Sequence, residues 1–283
     1  MRLKALLLAL ALTGCGLDRE AVVLMLDPGY RAEILLDNED GISAPDGLLW
    51  SNGRLYIADE GGSAVRSWAP EEPVRTHADS TAGLSSPEDL ALGADGTLFV
   101  SDDDTGGVWR IRVTGSAVRL APAVASSEGL VMNPSGSLLI GDPARARIVE
   151  LTGAGHTSAL RQRIAKAESF AFDGGGNLYI ADNRDQTLYL RAPTGAVHRP
   201  IADQGGFSPE SLHFASGALF ITDSDHGKVS RYTPQDGLVT IAVFGGTLAN
   251  VQGIASDELG NLYVSVQSDL EAGRGYIVRL VRN

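Results

Sequence analysis

One phrase occurs six times in this chain of 283 residues, and a repeat at fixed period decides a fold before any single element does. Its first half reads PDGLLW (45–50), PEDLAL (87–92), SEGLVM (127–132), AESFAF (167–172), PESLHF (209–214) and VQGIAS (251–256). After a turn its second half reads GRLYIAD (53–59), GTLFVSD (96–102), GSLLIGD (136–142), GNLYIAD (176–182), GALFITD (217–223) and GNLYVSV (260–266). The anchors Leu55, Leu98, Leu138, Leu178, Leu219 and Leu262 are spaced 43, 40, 40, 41 and 43 residues apart. Each copy runs on into a third strand pattern, such as GVWRIRV (107–113) or ARIVEL (146–151), and a weaker fourth, such as HRPIA (198–202) or LVTIAV (238–243). Short strands, turn signals between them and a period near 40 predict four-stranded antiparallel units. Six such units in a row make an all-β, six-bladed β-propeller, each blade burying its faces against its neighbours. No helical period separates the strands, which excludes an (β/α) barrel.

The sixth copy has three strand patterns and lacks a fourth, while a lone strand pattern, YRAEILL (30–36), precedes the first copy. This N-terminal strand is expected to complete the last blade, leaving no open edge in the ring.

The chain carries 23 Lys+Arg against 35 Asp+Glu, a net charge of −12, which argues against nucleic acid as a partner. Its one cysteine, Cys15, excludes an intrachain disulfide. Arg2 and Lys4 form a positive start, and eight apolar residues follow at 5–12, too few to span a bilayer as a helix. The next residues, Leu12-Thr13-Gly14-Cys15, resemble the lipobox of bacterial lipoproteins, in which the cysteine becomes the acylated first residue. The bland reading is a secretory signal cleaved nearby, with Cys15 incidental. The expected division is a lipoprotein signal at 1–14, a lipid-anchored tether at 15–29 and the propeller at 30–283. The protein is then expected on the periplasmic side of the cell envelope as a monomer, touching membrane only through its anchor. By resemblance to Gram-negative sorting signals, Gly16 directs it to the outer membrane.

Propeller connectivity brings the start of each first strand to one face, around the channel mouth. The six copies place Asp46, Glu88, Glu128, Glu168, Glu210 and Gln252 there. Converging carboxylates raise each other's pKa unless a counter-charge intervenes. A ring of oxygen donors suits a hard divalent cation, Ca²⁺ first. The plain alternative is that each acid is solvated, or hydrogen-bonded to a neighbouring loop. A second column, Asp59, Asp102, Asp142, Asp182 and Asp223, closes the second strands, with Val266 breaking it. An Asp at a strand end accepts hydrogen bonds from the following turn, so these acids are expected to be structural. Glu60, Asp103, Asp104, Asp185 and Asp225 add negative charge to the same face.

The histidines, at 77, 156, 198, 213 and 226, show no metal-ligand spacing. His226 lies on the presumed functional face. His213 stands where other copies hold Leu49, Ala91, Val131, Ala171 and Ala255. It is expected to be a satisfied core histidine, with a channel-facing base as the alternative. No nucleophile elbow, P-loop or dinucleotide fingerprint is present.

The phrase PDGLLWSNGRLYIAD (45–59) resembles a repeat of the regucalcin/gluconolactonase (senescence-marker-protein-like) family, six-bladed calcium-dependent propellers. GNLYIADN (176–183) and SPEDLALGADGTLFVSDDDTGGVWRI (86–111) are equally similar to NHL repeats. Together the resemblance covers residues 30–281. In the lactonase family a Glu, an Asn and an Asp at the starts of different first strands bind the metal. That column aligns here with Asp46, Glu88, Glu128, Glu168, Glu210 and Gln252. The family's Asn is absent, and Gln252 is the only amide in the column. The resemblance implies a metal-dependent hydrolase of lactones or similar esters, with Asp46 and Glu128 as first choices for catalysis. The alternative from a different class is a non-catalytic NHL-like module, whose acidic face binds an envelope protein or a cationic ligand.

Overall fold

The computed structural model describes residues 6–10, 21–112, 116–120, 124, 126–153, 155, 157–202, 206–268 and 273–283. They form six antiparallel sheets in a ring, the predicted six-bladed propeller. Blade one comprises Pro45–Ser51, Arg54–Asp59, Ala64–Trp68 and Arg75–Ala78. The first strands of blades two to six are Pro87–Leu92, Leu130–Met132, Ala167–Phe172, Pro209–Ala215 and Asn250–Ser256. These line the axis, and each blade's later strands lie progressively outward.

Alternation of apolar and small residues builds the layers between blades. The second strands Leu138–Asp142, Leu178–Asp182 and Ala218–Asp223 are buried along their whole length. One core cluster joins Leu48, Leu55 and Ile57 of blade one to Ala255, Tyr263 and Ile277 of blade six. Another joins Leu139 and Ile148 of blade three to Phe170, Leu178, Ile180 and Tyr189 of blade four. Each such Leu or Ile contributes roughly 1.5–3 kcal/mol by leaving water, so adjacent blades stabilise each other.

The ring is fastened as the sequence predicts. Tyr30–Leu36 pairs antiparallel with Gly275–Arg282, with Ala32 opposite Leu280. Beside this pairing, the Asn283 amide donates to the carbonyl of Gly29 at 2.8 Å. The hairpin between the first two strands of blade one turns on Asn52 and Gly53, both at positive φ. That conformation suits a two-residue turn.

The N-terminal segment differs from the expected tether. Residues 21–25 form a fifth strand, Ala21–Met25, on the outer strand of blade five, Gly237–Gly245. The reason is apolar: Val23 and Met25 are buried against Phe244 and Ala242. Leu6–Leu10 pairs in turn with Ala21–Met25. Cys15 and Gly16 lie outside the described residues. Among the described residues no helix is long and apolar enough to cross a membrane.

Close packing at the axis is set by the residue after each ring position: Gly47, Asp89, Gly129, Ser169, Ser211 and Gly253. A Cβ at Gly47, Gly129 or Gly253 would run into the backbone carbonyl oxygen of Glu88, Glu168 or Asp46 respectively. The other three side chains act as staples between blades. Asp89 Oδ2 accepts from the Leu130 amide at 2.9 Å, Ser169 Oγ from Leu212 at 3.1 Å and Ser211 Oγ from Ile254 at 3.3 Å.

Candidate functional site

The first strands bring five of the six ring residues together. Asp46, Glu88, Glu128, Glu168 and Glu210 line one small well of about 20 Å³ on the axis. Gln252 is turned aside, its amide donating to Asn250 Oδ1 at 2.6 Å. Glu60 joins from the loop after the second strand of blade one. It is bridged to the ring by Gln267, whose Nε2 reaches Glu60 Oε2 at 2.9 Å and Asp46 Oδ2 at 3.5 Å. The Ser86 hydroxyl lies 3.0 Å from Glu60 Oε1 and 3.2 Å from Glu88 Oε1.

Burial, the first cause in each case, raises the pKa of all five ring carboxyls. Mutual repulsion is the second cause for three of them. Glu88, Glu210 and Glu60 push Asp46 up, Glu128 and Glu60 push Glu88 up, and Glu210 and Glu128 push Glu168 up. Asp46, Glu88 and Glu168 are raised well above the ordinary carboxylate range. Glu210 is half-buried, and its Oε2 accepts from Ser224 Oγ at 2.8 Å and Asn183 Nδ2 at 3.1 Å, which opposes the rise.

The counter-charge is Lys166, which the sequence reading missed. Its Nζ lies 2.6 Å from Glu168 Oε1 and 3.5 Å from Glu128 Oε1. Burial acts against its charge, but Glu168 and Glu128 outweigh that and hold the ammonium protonated. The signal for it lay two residues before the ring column, where the other copies hold Ala44, Ser86, Ser126, Ser208 and Asn250. A lone lysine among small polar residues next to converging acids is a counter-ion by position.

All ring donors are oxygens, the chemistry a hard divalent cation takes. They are not gathered around one point, however. Among the described residues, no three Asp, Glu, His or Cys side chains stand together in a way that could hold a metal ion. Glu128 and Glu168 are drawn to Lys166, while Asp46 and Glu88 face each other and Glu88 raises the Asp46 carboxyl.

The second acid column behaves as expected of structural residues. Asp59, Asp102, Asp142, Asp182 and Asp223 are all buried. Asp59 Oδ1 accepts from the amides of Ser43 and Ala44, and Oδ2 from Arg66 Nε at 2.6 Å. Asp102 accepts from the Ser85 and Thr105 amides. Asp182 accepts from those of Ala165, Lys166 and Asp185. Asp142 pairs with Arg147 at 2.7 Å, and Asp223 with His226 Nδ1 at 2.7 Å. Asp59, Asp102 and Asp182 thus bind the loop that enters the same blade, and Asp102, Asp182 and Asp223 the turn that follows. Asp182 also aims Lys166 into the well by holding its backbone.

Below the well the channel widens into a cavity of about 390 Å³ lined by the remainder of the first strands. His213 lines this cavity and so faces the channel, while its ring is satisfied as expected. Its Nε2 lies 2.8 Å from Ser256 Oγ, and burial lowers its pKa to about 4. Among the other histidines, His77 Nε2 meets Ser67 Oγ at 2.8 Å and His198 is exposed. His156 lies outside the described residues.

Comparison with known proteins agrees with the fold. Residues 78–111 match the N-terminal strictosidine synthase-like family model. No curated protein sequence matches the chain. A gluconolactonase from Xanthomonas campestris superposes with a TM-score of 0.70 at 17% identity, covering 93% of this chain and 90% of that one. A luciferin-regenerating enzyme gives 0.69 at 13%, covering 89% and 95%. A virginiamycin B lyase from Staphylococcus aureus gives 0.67 at 11%, covering 89% and 100%. At such identities the likeness is one of architecture: the chain is a six-bladed β-propeller of the shape shared by gluconolactonases and these other enzymes.

Proposed function

We propose that the protein is a lactonase-type hydrolase of the cell envelope, anchored through Cys15, with its active centre in the acid well. The observation that carries this reading is five buried or half-buried carboxyls on the axis with one ammonium among them. Such a cluster holds some carboxyls protonated beside others that are ionised, which is the pairing general acid–base chemistry needs. Glu128, next to Lys166, is the base: it takes a proton from water as the oxygen attacks the carbonyl carbon. Asp46, raised by burial and by Glu88, is the acid: its proton goes to the alkoxide as the ring C–O bond breaks. The product is the open hydroxy acid, and proton exchange within the ring restores both groups.

A divalent cation such as Ca²⁺ is part of this proposal. Its oxygen donors would be Asp46, Glu88, Glu128, Glu168, Glu210 and Gln252, which would have to draw towards one point, since in the structure they are not gathered around one. When bound it would polarise the substrate carbonyl. The test is turnover of a panel of lactones and aryl esters by the purified protein, with and without EDTA, together with calorimetry of Ca²⁺ binding. Glu128→Gln is expected to lower kcat/KM about 100-fold or more. Hydrolysis that survives both Glu128→Gln and Asp46→Asn would overturn the proposal.

A second reading has its own observation in favour. The ring carries more negative charge than Lys166 can offset, which attracts a cationic group whether or not bonds are broken. On that reading the protein is a binding module for an envelope protein. It is supported by recovery of a partner whose binding is weakened by charge reversal at 103–104 and 225, with no turnover of any ester.

A further inference from the structure

The lower half of the channel is chemically unlike the well above it. Its walls include Trp50, Met132, Phe172 and Phe214, with His213 on one side. Among the described residues that line it, Asp89 is the only carboxyl and, with His213, the only titratable side chain. Asp89 also lines the well, so its carboxylate sits in the collar between the two chambers.

Structure does not require a charge at that position. The job done by Asp89 is a staple, and in two other blades a serine hydroxyl does the same job. Its two oxygens accept only the Leu90 and Leu130 amides, at 2.8 and 2.9 Å, and no ion pair among the described residues offsets it. A single half-buried carboxyl at one end of a channel whose far end is apolar and aromatic forms the setting that takes an organic ammonium, by ion pairing at the collar and apolar contact along the body.

We propose that this cavity is a second binding site, for a small amphipathic amine whose ammonium meets Asp89 and whose apolar body lies among Trp50, Met132, Phe172 and Phe214. The site is separate from the acid well and does not depend on any reaction there.

The test is calorimetry on the purified full chain with three matched probes: phenylbutylamine, phenylbutanol and phenylbutyrate. The amine is expected to bind at least tenfold more tightly than the alcohol, and the acid most weakly. Asp89→Ser keeps a staple of the kind the other blades use; it is expected to remove the preference for amine over alcohol. Phe214→Ala is expected to weaken amine and alcohol alike. If Asp89→Ser does not fold, Met132→Lys places a fixed ammonium in the cavity and is expected to abolish amine binding. Equal affinity for all three probes, or no binding of the amine, overturns the proposal. So does amine binding lost in Glu128→Gln but kept in Asp89→Ser, because the amine then sits in the well.

Discussion

Two columns of acids circle this propeller on the same face, about a dozen residues apart in each copy, and the fold treats them in opposite ways. Asp59 and its equivalents point into turns and loops rich in backbone amides, so burial is matched by donors. Asp46 and its equivalents point at one another across the axis, with Lys166 as the one ammonium among them. The acidic side chain and the periodicity are shared. What separates a structural acid from a chemical one is the supply of hydrogen-bond donors, and that supply belongs to the backbone path rather than to the side chain.

The sharpest way to break this contrast is to remove one acid from each column and compare signs. Asp59→Ala strands two amides and the Arg66 guanidinium, so a loss of about 3–5 kcal/mol is expected. For a domain this large that is roughly a 10 °C fall in Tm by thermal denaturation. A loss under about 1 kcal/mol would remove Asp59 from the structural column.

A smaller effect comes from His213 in the channel below. Its pKa of about 4 lies below the unfolded value of 6.5, so between those values the unfolded chain binds the extra proton. Its contribution is therefore full above pH 6.5 and is lost as pH falls to about 4. Allowing for water in the channel, that amounts to about 2 kcal/mol. In His213→Leu this part of the acid destabilisation should be missing from a pH series of urea unfolding curves.

The smallest effect has the opposite sign. Asp46→Asn removes a group whose carboxyl is raised in the fold, so the native protein should gain about 1 kcal/mol at pH 8. The gain should fade as pH falls through the raised folded value and be gone below the ordinary aspartate value of 3.8, where Asp46 is protonated whether folded or unfolded. A variant less stable than the parent at pH 8 would mean that the ring, too, is held by donors.

The blades, their order and the closing strand were legible because each repeats a local pattern whose meaning is physical: alternation for strands, Asn-Gly for the turn at 52–53, a missing fourth strand for Tyr30–Leu36. The ring was legible as a column, since register alone places Asp46 through Glu210 at one level. Three features were less so. Lys166 breaks a column of small residues, a signal that only matters once the acids are known to converge. His213 was placed on the right strand, but the side chain's access to the channel depends on how far the first strands stand apart below the collar. The strand Ala21–Met25 was hidden because it repeats nothing; only the exposed edge of blade five gives it a place.

The pairing of Tyr30–Leu36 with Gly275–Arg282 has a consequence for assembly in time. Five blades are each made of consecutive strands and can form as the chain emerges, but the sixth needs the earliest strand of the ring and the latest. Until Gly275–Arg282 is made, blade six has no partner for Tyr30–Leu36 and the disc stays a crescent. Ring closure is therefore a single long-range step, and the well on the axis, which needs acids from five blades, is not complete before it.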